Sequence, residues 1–186
     1  MRSKPTQSGF TIVELMIGIF TSLIIMAGIY SVFQSQQVAY SSQEQINEMN
    51  QNIRAVMDLM AREVRLAGYK TSTAVFNGIR TAQPGTIQLW ADIDQDGTIS
   101  GDRENVTYSY DVNTGQILRN TLLIADNITN LTFAYYLADG TPTSDPATIR
   151  KVRISIRART KNPDLGTGQY RFLTLESDVT PRNLIS

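Results

Sequence analysis

The sequence predicts an α+β fold in which one long N-terminal helix packs against an antiparallel β-sheet. Two observations predict it. Residues 10–67 contain no proline, and their apolar side chains form first an unbroken run and then a stripe with helical steps of three or four. After Gly68, segments rich in β-branched and aromatic residues alternate with turn-forming residues, which is typical of strands in an antiparallel sheet.

The composition of the 186-residue chain narrows the chemistry open to it. It has 17 Lys plus Arg against 17 Asp plus Glu, and it has no His and no Cys. Without imidazole or thiol groups the chain cannot form a Ser-His-Asp or Cys-His catalytic site, a thiol redox centre or an ordinary structural zinc site. Carboxylate catalysis and oxygen-ligated metals stay open. The neutral formal charge argues against a broadly basic nucleic-acid binder, and the length suits one domain with an appendage.

The first element is an apolar helix long enough to cross a membrane. Residues 10–33 carry a single charge, Glu14, and as a helix they span roughly 36 Å, against about 30 Å of hydrocarbon in a bilayer. Arg2 and Lys4 precede this run, and the first charged residues after it are glutamates. By the positive-inside rule, we expect the N-terminus to stay in the cytoplasm while the rest of the chain crosses the membrane.

The simplest interpretation of this run is a secretory signal peptide or an uncleaved signal anchor. The run exceeds the roughly 7–15 apolar residues of a signal peptide, and no A-x-A cleavage site closes it. A simple anchor also has no need of Glu14, because a carboxylate inside an apolar helix costs about 2.5–3.5 kcal/mol in lipid. Glu14 is therefore a candidate functional residue that requires a partner.

The junction before this helix has a distinctive sequence. Residues 8–15 read SGFTIVEL, so a short basic leader ends in Gly9, an aromatic residue follows, and a glutamate stands at the fifth position after the glycine. This junction resembles the class III leader of the type IV pilin superfamily. The resemblance implies that a prepilin peptidase cuts between Gly9 and Phe10 on the cytoplasmic side and methylates the new amine of Phe10. The resemblance also implies that the apolar helix stays on the protein after cleavage and is the segment through which the subunit assembles.

The same resemblance implies a partner for Glu14. In this superfamily the carboxylate neutralises an N-terminal amine, usually that of a neighbouring subunit, as the helix leaves the membrane for the filament core. An ion pair offsets part of the cost of an unpaired charge in a low-dielectric core, and it sets the register of the subunits. The helix departs from major pilins because it lacks the proline that commonly kinks theirs.

The apolar stripe beyond the membrane span predicts a second, amphipathic half of the same helix, which Gly68 is suited to end. We interpret the stripe as core packing rather than as a cofactor site; its members are Ile46, Met49, Ile53, Val56, Met57, Met60 and Val64. The predicted division of the chain is a leader in residues 1–9, a membrane-spanning and filament-core helix in 10–33, an amphipathic helix in 34–68 and an extracytoplasmic head in 69–186.

The head is predicted to be a β-sheet whose apolar face covers the amphipathic helix. The expected strands cover residues 86–90, 105–110, 131–136, 149–160 and 170–179. Residues 61–69, 124–136 and 181–184 resemble minor pilins of the PilW type and, more distantly, J-class pseudopilins of type II secretion. The absence of cysteine departs from major pilins that close a C-terminal disulfide, and it favours a minor component.

Residues 92–104 of the head are similar to the first part of an EF-hand calcium loop, with alternating aspartates followed by Gly97 at a tight turn. The candidate ligands are Asp92, Asp94, Asp96, Thr98 through its carbonyl, Ser100 through a water, Asp102 and Glu104. Arg103 occupies the twelfth position, where an EF-hand has glutamate, and the flanking segments are predicted strands. The alternative is a solvated acidic turn. Calcium, with a structural role, is the one cofactor that the sequence suggests.

The predicted strand in residues 149–160 carries a basic face. Its cations alternate with apolar residues, which places them on the side of the strand away from the core. They are Lys151, Arg153, Arg157 and Arg159. Such a strand can contact DNA phosphates. We favour a solvent-exposed face partly neutralised by neighbouring acids, because the stripe is short and has no interleaved aromatic residues for base stacking.

These patterns predict a structural assembly protein rather than an enzyme. We expect a minor type IV pilin that is inserted in the inner membrane and then built into a periplasmic or extracellular filament. The expected partners are the prepilin peptidase, other minor and major pilins, and the inner-membrane assembly platform. The main alternative is a type II secretion pseudopilin. A DNA-uptake pilin and a signal-anchored enzyme are further alternatives, and the sequence contains no catalytic cluster that we can identify for the second.

Overall fold

The computed structural model describes residues 9–71 and 75–184. Its first element is one continuous helix of 55 residues, α1 (Ile12–Leu66), which is roughly 80 Å long. Two glycines in its apolar half, Gly18 and Gly28, do not interrupt it. The helix ends before Gly68, whose φ of +79° lies in the left-handed region that favours glycine.

The head contains eight strands and a single helical turn in the described part of the chain. The elements are β1 (Ile79–Gln83), β2 (Thr86–Trp90), α2 (Gly101–Glu104), β3 (Asn105–Asp111), β4 (Gln116–Arg119), β5 (Leu122–Ala125), β6 (Ile128–Tyr136), β7 (Lys151–Arg159) and β8 (Phe172–Val179). Strands β1 to β5 form one antiparallel sheet in chain order, and β6 to β8 form a second. The α+β architecture with a long N-terminal helix is confirmed.

The head differs from the prediction because it has two sheets rather than one. Strands β1, β4 and β5 were not predicted, since each has only four or five residues and β5 exposes Leu122 and Leu123. The sheets separate at Asn127, whose φ of +56° redirects the chain between β5 and β6. They stay adjacent, because the backbone N–H of Ile128 donates to the Gly115 carbonyl at 2.9 Å.

One hydrophobic core joins the second half of α1 to both sheets. The predicted helical stripe is buried from Met49 onward, while Ile46 is half-buried. Strand β7 shows the predicted alternation and directs its apolar residues into the same core. These residues are Val152, Ile154, Ile156 and Ala158. Burial of this stripe holds α1 on the head.

The first half of α1 makes no comparable contact with the head. Every large apolar side chain from Ile12 to Phe33 is more than half exposed. This apolar stretch is long enough to cross a membrane, and none of it is buried by the part of the chain that the structure describes. Val38 is the first residue of the helix that is partly covered. The helix therefore projects from the head as an apolar rod.

Candidate functional site

The N-terminus of α1 is closed by a capping box that uses the one charge of the apolar run. Thr11 is the N-cap residue, and its hydroxyl accepts a hydrogen bond from the Glu14 backbone N–H at 3.3 Å. In return, Oε2 of Glu14 accepts from the Thr11 backbone N–H and from the Thr11 hydroxyl, both at 2.9 Å. The carboxylate thus satisfies orphan donors at the positive end of the helix dipole. Its other oxygen, Oε1, takes no part in the box.

The predicted cleavage junction lies just outside the helix. Gly9 and Phe10 have no regular secondary structure, and the Phe10 side chain is 89% exposed. A methyl group added at Gly9 would meet nothing within 4 Å. The bond between the two residues is therefore accessible. The leader residues 1–8, including Arg2 and Lys4, lie outside the described residues.

A shallow groove continues from Glu14 along one face of the apolar rod. Phe10, Gly18 and Ser22 line it together with larger apolar side chains. The Ser22 hydroxyl donates to the Gly18 carbonyl at 2.7 Å, and Thr21 donates to the same carbonyl at 3.0 Å. These hydroxyls are satisfied inside the helix, which suits an apolar environment such as lipid or a bundle of helices.

The acidic loop between β2 and β3 gathers the three alternating aspartates that the sequence singles out. One carboxylate oxygen from each of Asp92, Asp94 and Asp96 lies within 4.8 Å of the others. Asp92 is fully buried, whereas the other two are exposed. The Gly97 backbone N–H donates to Oδ2 of Asp92 at 3.2 Å, and the φ of Gly97 is +82°. This contact turns the loop back over Asp92.

The remaining candidate ligands of the loop have different positions. Glu104 is buried and accepts backbone N–H groups of Ile93, Asp94 and Ser100 at 2.8, 3.2 and 3.0 Å. These bonds hold the pKa of Glu104 below its ordinary value, and the bond from Ser100 lowers it most. Asp102 is exposed and does not join the three aspartates.

In this structure Glu104 is therefore a brace that closes the loop. The Thr98 backbone N–H and hydroxyl both donate to Oδ1 of Asp96, at 2.8 and 2.7 Å. These two bonds lower the pKa of Asp96, the hydroxyl contributing most. The loop is thus held in shape by its own hydrogen bonds.

The basic face of β7 is occupied by contacts within the head. Arg153 and Lys151 contact the carboxylate of Asp178 on β8 at 2.7 and 3.8 Å, and the Arg153 bond lowers the pKa of Asp178. All four predicted cations lie over aromatic rings at 4.4 to 5.7 Å from the ring centres. The pairs are Lys151 and Arg153 on Tyr136, Arg157 on Phe172 and Arg159 on Tyr170. The rings come from neighbouring segments, so the sequence of β7 alone did not reveal them.

A charged cluster that sequence reasoning missed lies where α1 meets the first sheet. Arg119 of β4 donates to Glu63 of α1 at 2.8 Å, and the Tyr108 hydroxyl of β3 donates to the same carboxylate. Burial, followed by the bond to Glu63, raises the pKa of Tyr108 well above its ordinary value. The one signal in the sequence is a glutamate beside the apolar stripe of the helix. The cluster ties α1 to the sheet.

A known protein family matches most of the chain. Residues 42–172 match the family described as PpdB, prepilin peptidase-dependent protein B. The match covers more than two thirds of the chain, from Ser42 in α1 to Phe172 at the start of β8. No curated protein and no solved structure shows a significant match to the chain. With its long apolar N-terminal helix and antiparallel sheets, the chain is a pilin-like protein and belongs to the prepilin peptidase-dependent protein B family.

Proposed function

We propose that this protein is a minor type IV pilin, a structural subunit that prepilin peptidase processes and that enters a filament through α1. The observation that carries the proposal is the exposed apolar half of α1, which continues without a break into the helix that the head buries. An apolar surface of this extent is not stable in water and requires lipid or other helices around it. An inner-membrane location before assembly and a helical filament core afterwards supply these two environments.

The proposed processing site is the bond between Gly9 and Phe10. Its accessibility and its position before the helix support cleavage there, followed by methylation of the Phe10 amine. The accompanying division of the chain is a leader in residues 1–9, a filament-core helix in 10–33, an amphipathic helix in 34–68 and a head in 69–186. The leader stays cytoplasmic and the head lies outside the inner membrane.

We assign Glu14 two successive partners. In the single subunit its Oε2 caps the helix through Thr11, so the charge is partly neutralised at the dipole end. In the filament, Oε1 is available for the methylated amine of a neighbouring subunit, because the capping box does not use it. A carboxylate is suited to both tasks, whereas a neutral amide keeps only the first.

The Glu14 assignment predicts different results for three variants. Glu14→Ala removes the charge and the carboxylate half of the capping box, Glu14→Gln keeps a capping acceptor without the charge, and Thr11→Ala removes the capping hydroxyl while Glu14 stays charged. We expect normal leader cleavage in all three. Both Glu14 variants should enter filaments at least about tenfold less than the parent, which corresponds to the loss of an ion pair of about 1.4 kcal/mol. Thr11→Ala should enter nearly normally.

The measurement is quantitative mass spectrometry of sheared, purified filaments, with membrane-bound precursor and mature forms separated on gels. It also reports the cut after Gly9 and the methyl group on Phe10. Normal incorporation of Glu14→Gln would contradict the ion-pair role. Equal losses for Thr11→Ala and Glu14→Ala would assign the effect to capping instead.

The same experiment addresses the other candidate, a pseudopilin of a type II secretion system. A pilin co-purifies with type IV pilus subunits, whereas a pseudopilin co-purifies with secretion components, and neighbouring genes give the same distinction. We do not favour a DNA-uptake role, because the β7 cations are already engaged by Asp178 and by aromatic rings. The assembly platform and other pilins are the remaining proposed partners.

A further inference from the structure

The acidic loop contains a buried carboxylate oxygen with no hydrogen-bond partner. Asp92 has no solvent-exposed surface, and within the described residues its Oδ1 receives no hydrogen bond. It is the one buried side-chain polar atom of the described residues in that state. A buried unpaired carboxylate oxygen is costly unless a cation or donor meets it. The atom therefore indicates a ligand beside Asp92.

Three carboxylates lie close together around Asp92. The carboxylates of Asp94 and Asp96 lie within 4.8 Å of that of Asp92, and among the described residues no Lys or Arg forms a salt bridge with any of the three. Three like charges this close repel one another. A small multivalent cation would remove the repulsion and satisfy Oδ1 of Asp92 at the same time.

The geometry points to a calcium site in this loop, and we propose that Asp92, Asp94 and Asp96 hold one Ca²⁺ there. All the donors are oxygens, which hard divalent cations prefer, and the Thr98 carbonyl and waters complete the six to eight ligands that Ca²⁺ commonly takes. Mg²⁺ demands a tighter octahedral arrangement and binds such loops less well. This proposal concerns the head alone and does not depend on filament assembly.

Because Glu104 is used as a brace for the loop, it limits the affinity of the site for Ca²⁺. In a full EF-hand, a glutamate at the twelfth position donates both oxygens to the metal, but here Arg103 has that position and Glu104 accepts three backbone N–H groups. The loop is prefolded yet lacks the bidentate ligand. We expect a Kd on the order of 10⁻⁴–10⁻³ M, typical of extracellular calcium modules.

The site lies where the end of α1 meets the first sheet. The Asp92 backbone N–H donates to the Tyr69 carbonyl at 2.8 Å, and the Gln95 side chain donates to the Tyr69 hydroxyl at 2.8 Å. The Gly68 N–H donates to the Trp90 carbonyl at 2.8 Å. A bound Ca²⁺ would therefore make the junction between α1 and the head more rigid.

The test uses the full chain in detergent, after dialysis against EDTA. Melting temperature is measured without metal, with 5 mM Ca²⁺ and with 5 mM Mg²⁺. Terbium luminescence, sensitised by Tyr69 and by Trp90 two residues before Asp92, reports direct binding and its displacement by Ca²⁺. The variant is D94N/D96N, which removes two exposed charges and keeps similar acceptors. The matched control is D111N/D139N, which changes two turn aspartates that cap their own turns elsewhere in the head.

We expect 5 mM Ca²⁺ to raise the melting temperature of the parent by about 3–6 °C, and Mg²⁺ to raise it by less than half as much. D94N/D96N should lose the Ca²⁺ shift and the terbium signal, and the control should keep both. The absence of a Ca²⁺ shift together with the absence of terbium binding in the parent would overturn the proposal. So would an undiminished shift in D94N/D96N.

Discussion

Two glycines allow the segment after α1 to lie directly against the end of that helix. A Cβ atom built on Gly78 would lie 2.1 Å from the backbone nitrogen of Gly68 and 2.4 Å from its Cα. No side chain fits in that space, and the contact is between backbone atoms that cannot swing away. The contact lets β1 start beside the helix end, where the Trp90 N–H donates to the Gly78 carbonyl.

At this position we predict that Gly78→Ala destabilises the head by about 3 kcal/mol, because the backbone has to move to admit the methyl group. The control is Gly85→Ala, in the turn between β1 and β2, where an added Cβ meets nothing within 4 Å. Thermal unfolding followed by circular dichroism measures both. Equal melting temperatures for the two variants would contradict the close approach.

Among the elements, the loop between β7 and β8 fixes the point at which α1 leaves the head. Asp164 in this loop is 7% exposed and accepts from the Ser42 hydroxyl of α1 at 2.7 Å. It also accepts from the backbone N–H groups of Gly166 and Thr167 and from Arg171. Together these hydrogen bonds hold the pKa of Asp164 well below its ordinary value, and the bond from Ser42 lowers it most.

Because its pKa is lowered in the folded state, the contribution of Asp164 to the stability of the protein depends on pH. Its contribution is complete above the unfolded-state value of about 3.9 and is lost as the pH falls through the lower folded-state value. We predict that Asp164→Asn lowers the free energy of unfolding by about 2 kcal/mol at pH 7. From about pH 4 downward, the difference in this free energy between variant and parent should narrow. Urea unfolding at pH 7, 4 and 3 measures it.

The comparison variant for this element is Asp58→Asn, on an exposed part of α1. It should change the free energy of unfolding by no more than about 0.5 kcal/mol at any of these pH values. A gap between Asp164→Asn and the parent that stays constant from pH 7 to pH 3 would contradict the assignment.

At the scale of the whole molecule, α1 divides into a half that the head buries and an apolar half that it leaves exposed. Within residues 9–71 and 75–184, the core draws on α1 only from Met49 onward, and the last polar contacts toward the N-terminus are those of Ser42 and Gln45 with the β7 to β8 loop. The residues before Val38 add apolar surface that the head never buries. In the proposed filament they are available for contacts with neighbouring subunits.

This division predicts that a chain starting at Gln36 folds without detergent and melts within about 3 °C of the full chain measured in micelles. A chain starting at Gln51 loses Met49 and the Ser42 contact, and it should melt at least about 6 °C lower. Circular dichroism and size-exclusion chromatography check both. Failure of the longer chain to give a cooperative transition would show that the apolar half contributes to folding.

Sequence reasoning predicted most accurately where the signal is local. The helix, its apolar half and its stripe follow from periodicity within a few turns, and the bounds of β2 match the expected segment, residues 86–90. The sequence did not predict strands β1, β4 and β5, because short strands gain their stability from partners in the sheet rather than from their own composition. The family match agrees with the predicted resemblance to pilins at the level of a pilin-like protein.

The sequence by itself determined a long helix with an apolar first half, a candidate cleavage junction at Gly9 and Phe10, and a trio of aspartates with a turn glycine, because each is a pattern of neighbouring residues. Only the tertiary structure decided that the head has two sheets, that Glu104 braces the acidic loop, and that Glu63 meets Arg119. Glu63 and Arg119 are 56 positions apart in the chain, and even the bonds of Glu104 reach as far as 11 positions, to Ile93. Packing, and no local pattern, selects which of them come together.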